Sequence, residues 1–396
     1  MQQKNGIREY VFPLRGKIAT ENAAALENEL GKVLADHPDC TLVFDAENLV
    51  YISSAGLRVL LKQIRQSGKR LQIRNVSAQV YEILAVTGFT DLMDVEKKLR
   101  KISTDHCIPV GSGRSSTVYR LDSETIVKKY DPHVPLERIR QEMELSRKAF
   151  VAGVPTAIPF DMVRADDSYG IVFEHIAPAD TVGQTISAHP ERFDELTREF
   201  AAALKRIHSK ETQEKDGFPS VRDRWLNWAE GMTPYYSEEE NEFLAGMVRR
   251  VPERCTMVHC DFHENNVLVR GDTLIMIDMA DIGCGHPVFD LACLAFRAHV
   301  SRIPGRNAHH GLTADDMQMF YERVLQFYFE TQETAKLQEI RDICDAFGLV
   351  RSALFPMKHI QVSAELRQIH IDDARRNLFP RMEWARAQLL KLCGGE

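Results

Sequence analysis

Apolar runs and amphipathic stretches alternate along the first part of the chain. Tyr10–Gly16 predicts a strand and Thr20–Leu34 a helix, with Thr20 as N-cap and Ala23, Leu26 and Leu30 at helical spacing. Thr41–Ala46 (TLVFDA) is continuously apolar and β-rich, the pattern of a buried parallel strand. A second helix, Leu57–Gln66, is closed by Gly68. Leu71–Asn75 is the next strand, and a third helix, Ala78–Thr87, ends at Gly88. Strands and helices joined by short loops predict an α/β unit, a sheet covered by helices.

The pattern changes after a short charged segment around Lys97–Cys107 (KKLRKISTDHC), which marks a domain boundary. Ile108–Val110, the run GSGRSS, Val118–Leu121, a DSE turn and Thr125–Tyr130 predict antiparallel hairpin strands. A helix follows from about Leu136 to Val151, then a strand at Tyr169–Glu174. From Pro190 the pattern is mostly helical. Two short strands interrupt it, Asn266–Arg270 and Thr273–Ile277, joined at Gly271-Asp272. The expected organisation is residues 1–100 as one domain and 105–396 as another, the second divided into lobes of about 105–176 and 177–396.

Composition narrows the class. The 396 residues exceed one ordinary core, and 44% apolar with 27% charged residues suits a globular protein in water. A net charge of −7 gives no electrostatic case for nucleic acid or an anionic membrane as partner. No stretch has the length of an apolar transmembrane helix, and MQQKNGIREYVF lacks the core of a signal peptide. Eight scattered cysteines without a CxxC pair read as reduced thiols, so the expected compartment is the cytoplasm.

The chemistry concentrates between His259 and Asp290. His259-x-Asp261 is followed by Asn266, and a β-hairpin then leads to Asp278. Phosphoryl transfer needs a group that orients the acceptor hydroxyl and hard oxygen ligands for a metal that neutralises the triphosphate. One Asp, one Asn amide and one further Asp meet that need. Upstream, Gly111-Ser-Gly113-Arg-Ser-Ser-Thr-Val118 fits GxGxxGxV with Ser at the third glycine, and lies before a strand, a turn and a second strand ending in Ile126-Val127-Lys128. Lys128 is expected on the phosphates, and Lys129 on the opposite face. Glu142, or alternatively Glu144, on the next helix would hold Lys128. No GxxxxGK[ST] occurs.

These residues resemble the H-x-D-x-x-x-x-N motif and downstream metal-binding Asp of the aminoglycoside phosphotransferase/choline kinase family, over about residues 105–396. The resemblance implies an α+β bilobal protein-kinase-like fold. It implies Asp261 as catalytic base, Asn266 and Asp278 as Mg2+ ligands, His259 as a brace of the loop, and Asp290 as a buried supporting carboxylate. The backbone of Glu174 and Ile176 would face the adenine of ATP. Where the family often has Gly-Asp-Pro, this chain has Gly285-His286-Pro287.

Thr41–Leu61 (TLVFDAENLVYISSAGLRVLL) resembles the STAS domain of anti-sigma-factor antagonists, over about residues 8–100. In that family the serine of a D-S-[ST]-G loop is phosphorylated. Ser54 falls on that serine, but Ser53 stands where Asp is usual and Ala55 where Ser or Thr is usual. One of Ser53 and Ser54 is expected to cap the following helix, and Ser54 to be a phosphoacceptor.

The expected function is ATP- and Mg2+-dependent transfer of the γ-phosphate to a hydroxyl of a small molecule, an amino sugar or choline-like compound, regulated by the STAS unit, whose surface would take a protein partner. Two alternatives stand beside it: a protein serine kinase acting on Ser54 in cis or on a partner, and a non-catalytic nucleotide sensor. Asp223–Trp228 and Glu238–Glu240 read as a helix face and an exposed turn rather than as an acidic acceptor pocket.

Overall fold

The computed structural model describes residues 2–4, 7–213, 216–303, 312–358 and 362–394. The chain divides into two compact units, residues 1–103 with 163–166, and residues 104–162 with 167–396. No described helix is long and apolar enough to cross a membrane.

The first unit is a five-stranded sheet in the order Gln2–Lys4, Ile7–Ile18, Thr41–Ile52, Leu71–Val76, Met93–Lys97. The first pair is antiparallel and the rest are parallel. Helices Thr20–Asp36, Ser54–Ser67 and Ala78–Val86 cover it. Phe12, Leu14, Phe44, Leu60, Ile73 and Leu84 share its core. Thr20 is the first helical residue and not the cap. Ala19 is the N-cap, and its N–H donates to Asn22 Oδ1 at 2.8 Å. The side chain of Asn22 thus satisfies the N–H of the N-cap residue, while no side chain caps the first helical N–H groups.

Ser53 caps the second helix, its Oγ accepting from Gly56 N. Gly56 has a steric origin: a Cβ there would lie 2.6 Å from Ile18 Cγ2 and 2.8 Å from Ile52 Cγ1. The glycine lets the first turn sit directly on the sheet.

Within Lys97–Cys107, Arg100–Ile102 forms a strand rather than an irregular connection, and it pairs with Val163–Ala165. Two charged residues in a three-residue run conceal a strand from a hydrophobic pattern, yet such charges are common on short edge strands.

In the second unit the strands Ile108–Ser112, Ser116–Arg120, Thr125–Tyr130 and Ser168–Glu174 lie side by side in that order, followed by strand Pro159–Ala165, of which residues 159–162 belong to this unit. Pro159–Ala165 was not anticipated, since its proline and charged residues mask the β pattern. Helix Leu136–Val151 packs on this sheet. The remainder is helical, with two small sheets: Asp180–Thr181, Val267–Arg270 and Thr273–Met276; and Thr256–Val258 with Gly283–Gly285. The architecture is the α/β unit and the α+β kinase-like unit that the motifs implied.

Helix Thr334–Lys358 packs closely on helix Val288–Val300, because Gly348 has no side chain to hold them apart. A Cβ at that position would stand 2.8 Å from Ala295 Cβ. Gly348, Arg351, Phe355 and Lys358 follow helical spacing and share one face.

Candidate active site

Strand Thr125–Tyr130 places Lys128 directly opposite Val118 on the neighbouring strand, so both side chains leave the same face. Lys128 Nζ meets Glu142 Oε1 at 2.6 Å and Asp278 Oδ1 at 3.0 Å. Burial would lower the pKa of Lys128, but the two carboxylates outweigh it and hold the ammonium well above its ordinary value. Lys129 points the other way, to Asp167 at 3.4 Å. Glu144 pairs with Lys148 on its own helix and takes no part. The β alternation and the helix spacing thus separate each of these residues from its sequence rival.

Gly113 N donates to Ser116 O at 2.8 Å and tightens the hairpin turn. At Gly111 the chain's own packing leaves space, the nearest atom to a Cβ being Val118 Cβ at 3.8 Å. Ile176 is buried with Ala157 and Ile275, beside Phe173 and Leu268. Glu174 precedes it at the end of its strand, and its N–H donates to Ile158 O at 2.9 Å. An apolar surface therefore adjoins the strand end.

The loop after Thr256–Val258 hangs on Asp290, which is fully buried. Asp290 Oδ2 accepts from His259 N at 2.8 Å, and Oδ1 from Cys260 N at 2.5 Å. His208 Nε2 donates to Oδ2 at 3.0 Å while its Nδ1 lies 2.7 Å from Tyr328 Oη. Burial would raise the Asp290 pKa, but these donors outweigh it and hold it below the ordinary carboxylate value. His259 itself bridges the loop: Nδ1 accepts from Asp261 N at 3.3 Å and Nε2 donates to Ile277 O at 3.2 Å. Asn266 Nδ2 donates to Asp261 O at 2.9 Å, and Ile277 N donates to Asn266 O at 2.9 Å. Asp261, Asn266 and the residue before Asp278 are thereby locked together. Asp278 itself adopts a left-handed backbone, φ 64°, just beyond the hairpin.

Asp261 has partners the motif did not announce. Arg351 Nη2 and Lys358 Nζ each donate to its Oδ1 at 2.8 Å, and Cys293 Sγ approaches the same oxygen at 3.7 Å. Oδ2 has His263 Nε2 at 3.9 Å. Burial would raise the Asp261 pKa, but Lys358, His263 and Arg351 outweigh it and hold it well below the usual carboxylate range. Lys358 also reaches Asp281 Oδ2 at 2.8 Å; against the effect of burial, Lys358 and Arg224 hold that carboxyl at about 2.

Arg351, Lys358 and His208 were missed in the sequence. The trace of Arg351 is a lone charge in the apolar run GLVRSALF, which when buried needs an anion. The acidic run Glu238–Glu240 is the first turn of a helix capped by Ser237, and Trp225 of the Asp223–Trp228 segment is core.

His286 stands where the family often has Asp and supplies a side-chain acceptor just before Pro287, the N-cap of helix Val288–Val300. Its Nδ1 accepts from Val288 N at 3.1 Å, which requires a neutral ring. Burial first, then Arg254, lowers its pKa to about 4. An unfolded His binds its proton near 6.5, so this cap stabilises fully above pH 6.5, and its contribution is lost as pH falls towards 4. The maximum is about 3 kcal/mol for that shift. His263, also held at about 4 by burial and Arg297, acts in parallel. We predict that urea unfolding midpoints fall between pH 7 and 4.5, and that His286→Asp, which caps without a neutral imidazole, flattens this fall.

The family model described as a phosphotransferase enzyme family matches residues 106–339, more than half of the chain, and the STAS domain model matches residues 1–102. The chain belongs to the phosphotransferase enzyme family, with a STAS domain preceding the phosphotransferase domain. The STAS domain is 38% identical over 85 residues to the Bordetella bronchiseptica protein BtrV, described as a putative anti-sigma factor antagonist, a match spanning 21% of this chain and 72% of that protein. A choline/ethanolamine kinase family protein from Mesorhizobium loti is similar in structure at 16% identity and a TM-score of 0.49, covering 72% of this chain and 92% of its own. The streptomycin–ATP–APH(2")-IIa ternary complex is similar at 18% identity and a TM-score of 0.47, covering 77% and 97%.

Proposed function

We propose that this phosphotransferase uses magnesium and ATP to phosphorylate a hydroxyl of a small molecule. The observation that carries the reading is the junction at Lys128. One ammonium links Glu142 of the strand-rich lobe to Asp278, whose preceding residue is bonded to the loop of Asp261 and Asn266. The phosphate grip and the acceptor-orienting carboxylate are thus built into one bonded frame.

In this reading Lys128 binds the phosphates, and Gly111 and Gly113 let the hairpin backbone approach them. Ile176 and Val118 pack on adenine, with the backbone of Glu174 and Ile176 along its edge. Asn266 Oδ1 and the Asp278 carboxylate are the hard oxygens that would hold magnesium. Among the described residues no three His, Cys, Asp or Glu side chains form a metal cage. Two protein oxygens with phosphate and water suit magnesium nonetheless. When bound, the metal supplies charge neutralisation at the phosphates. Asp261 Oδ2, its less engaged oxygen, accepts the hydroxyl proton. The acceptor oxygen bonds to the γ-phosphorus as the bond to the bridging oxygen breaks, and ADP leaves.

The STAS domain would regulate this activity. Ser54 is exposed and is the first residue of its helix, next to the capping Ser53, so a phosphate there would meet free N–H groups and change the local charge by about −2. This exposure favours a second reading, in which the chain phosphorylates Ser54 itself or its counterpart on a partner.

Titrating ATP with and without magnesium tests the main reading. Asp278→Ala is expected to lose most of the magnesium-dependent gain in affinity; Lys128 retains Glu142, so the variant folds. Unchanged magnesium dependence in Asp278→Ala would reject the assignment. Label from γ-labelled ATP found on Ser54, and absent from every small molecule offered, would favour the second reading.

A further inference from the structure

We infer that the acceptor is an anionic alcohol, bearing a carboxylate or phosphate near the reacting hydroxyl, and that Arg351 and Lys358 receive that anion. The inference rests on Asp261 being the acceptor-orienting carboxylate, as proposed above.

Charge pairing around Asp261 carries the argument. Glu264 is fully buried and matched by Arg297. Asp281 is matched by Arg224 at 3.6 Å and Lys358 at 2.8 Å. Each of these neighbouring carboxylates faces a cation, and Glu264 Oε2, which has no hydrogen-bond partner among the described residues, is fully buried. Asp261 faces Arg351 and Lys358 together. Arg114 of the glycine hairpin lies 5.0 Å over the Phe355 ring, one helical turn from each of these cations. Lys358 serves both carboxylates, so four cations, Arg114, Arg224, Arg351 and Lys358, stand around two, Asp261 and Asp281.

The cations are also built in. Arg351 and Lys358 are 4% and 7% exposed, and Arg351 Nη1 is buried without a partner among the described residues. A buried donor without an acceptor costs free energy unless a ligand supplies one. Both cations bind Oδ1 of Asp261 and leave Oδ2 for a hydroxyl. An acceptor reaching Oδ2 thus brings its neighbouring substituent beside the two cations. A carboxylate or phosphate there gains charge-assisted hydrogen bonds, whereas an amine meets like charge. This departs from the amino-sugar or choline-like acceptor expected of the sequence.

A series of related alcohols tests it: glycerate, glycerol 3-phosphate, glycerol and 3-amino-1,2-propanediol. Dissociation constants are measured by calorimetry on the full chain loaded with magnesium and a non-hydrolysable ATP analogue. Expected is at least tenfold tighter binding of one or both anions than of glycerol, with the amine weakest. The two anion arms decide between carboxylate and phosphate. Lys358→Gln should remove most of that advantage, weakening the anions far more than glycerol. Lys358→Arg, which keeps the charge, should preserve the ranking, and thermal melting confirms that both fold.

Equal affinities, no binding across the series, or a preference for the amine would overturn the inference. So would Lys358→Gln weakening all four ligands alike, the result expected if the cations served only the transferred phosphoryl group. Magnesium-dependent hydrolysis of ATP by wild type, lost in Asp278→Ala, is read in parallel. Its absence would count against the phosphotransferase site itself, independently of the ligand ranking.

Discussion

Asp261→Asn should lower kcat by about 10²–10⁴-fold while ATP affinity changes little, because a positioned proton acceptor contributes on that scale. The substitution keeps the shape of the side chain and removes its charge. Asn can still accept a hydrogen bond from Arg351 or Lys358 at the position of Oδ1, and Asp281 continues to hold Lys358. The stability cost is therefore expected to be modest, about 1–3 kcal/mol for the lost charge-assisted bonds. ADP release measured beside a urea unfolding curve separates the two effects. Near-normal turnover in a folded Asp261→Asn protein would remove Asp261 from the reaction.

The largest structural effect is expected at Asp290. Its two oxygens satisfy the His259 and Cys260 N–H groups and the His208 ring, and the residue is fully buried. Asp290→Ala leaves three buried donors without an acceptor. Each such loss costs about 1–3 kcal/mol, and their non-additive total of about 3–5 kcal/mol is a large share of a typical domain's stability. His208→Ala removes one of the three contacts and should cost less. Asp290→Ala is accordingly expected to lower the urea midpoint more than His208→Ala, and to lower turnover as well, since the loop that carries Asp261 loses its anchor. Equal midpoints for wild type and Asp290→Ala would contradict this role.

The constellation was legible in the sequence where local geometry dictates it. Lys128 and Lys129 separate because strand side chains alternate, and they point to Glu142 and to Asp167 respectively. Asp261, Asn266 and Asp278 converge because a hairpin of short strands folds the chain back on itself, with Val267 opposite Met276. What stayed hidden depends on helix packing between distant segments. Arg351 could be seen as a charge within an apolar run, but no local rule indicates that its anion lies 90 residues away. Lys358 reaches Asp261 only because Gly348 allows its helix to close on Val288–Val300. His208 ends a helix whose partner, Asp290, begins another. At His286 the sequence shows only a departure from the Gly-Asp-Pro of the family; burial keeps the ring neutral and lets it accept from Val288 N.

The most direct test follows the γ-phosphate. Full-length protein is incubated with magnesium, ATP and the alcohol series, and the products are read by phosphorus NMR. A new phosphomonoester resonance from one of the alcohols is expected, growing in step with ADP and missing in Asp261→Asn. ATP left unconsumed by stoichiometric enzyme, or phosphate appearing only in inorganic form whichever alcohol is present, would contradict it.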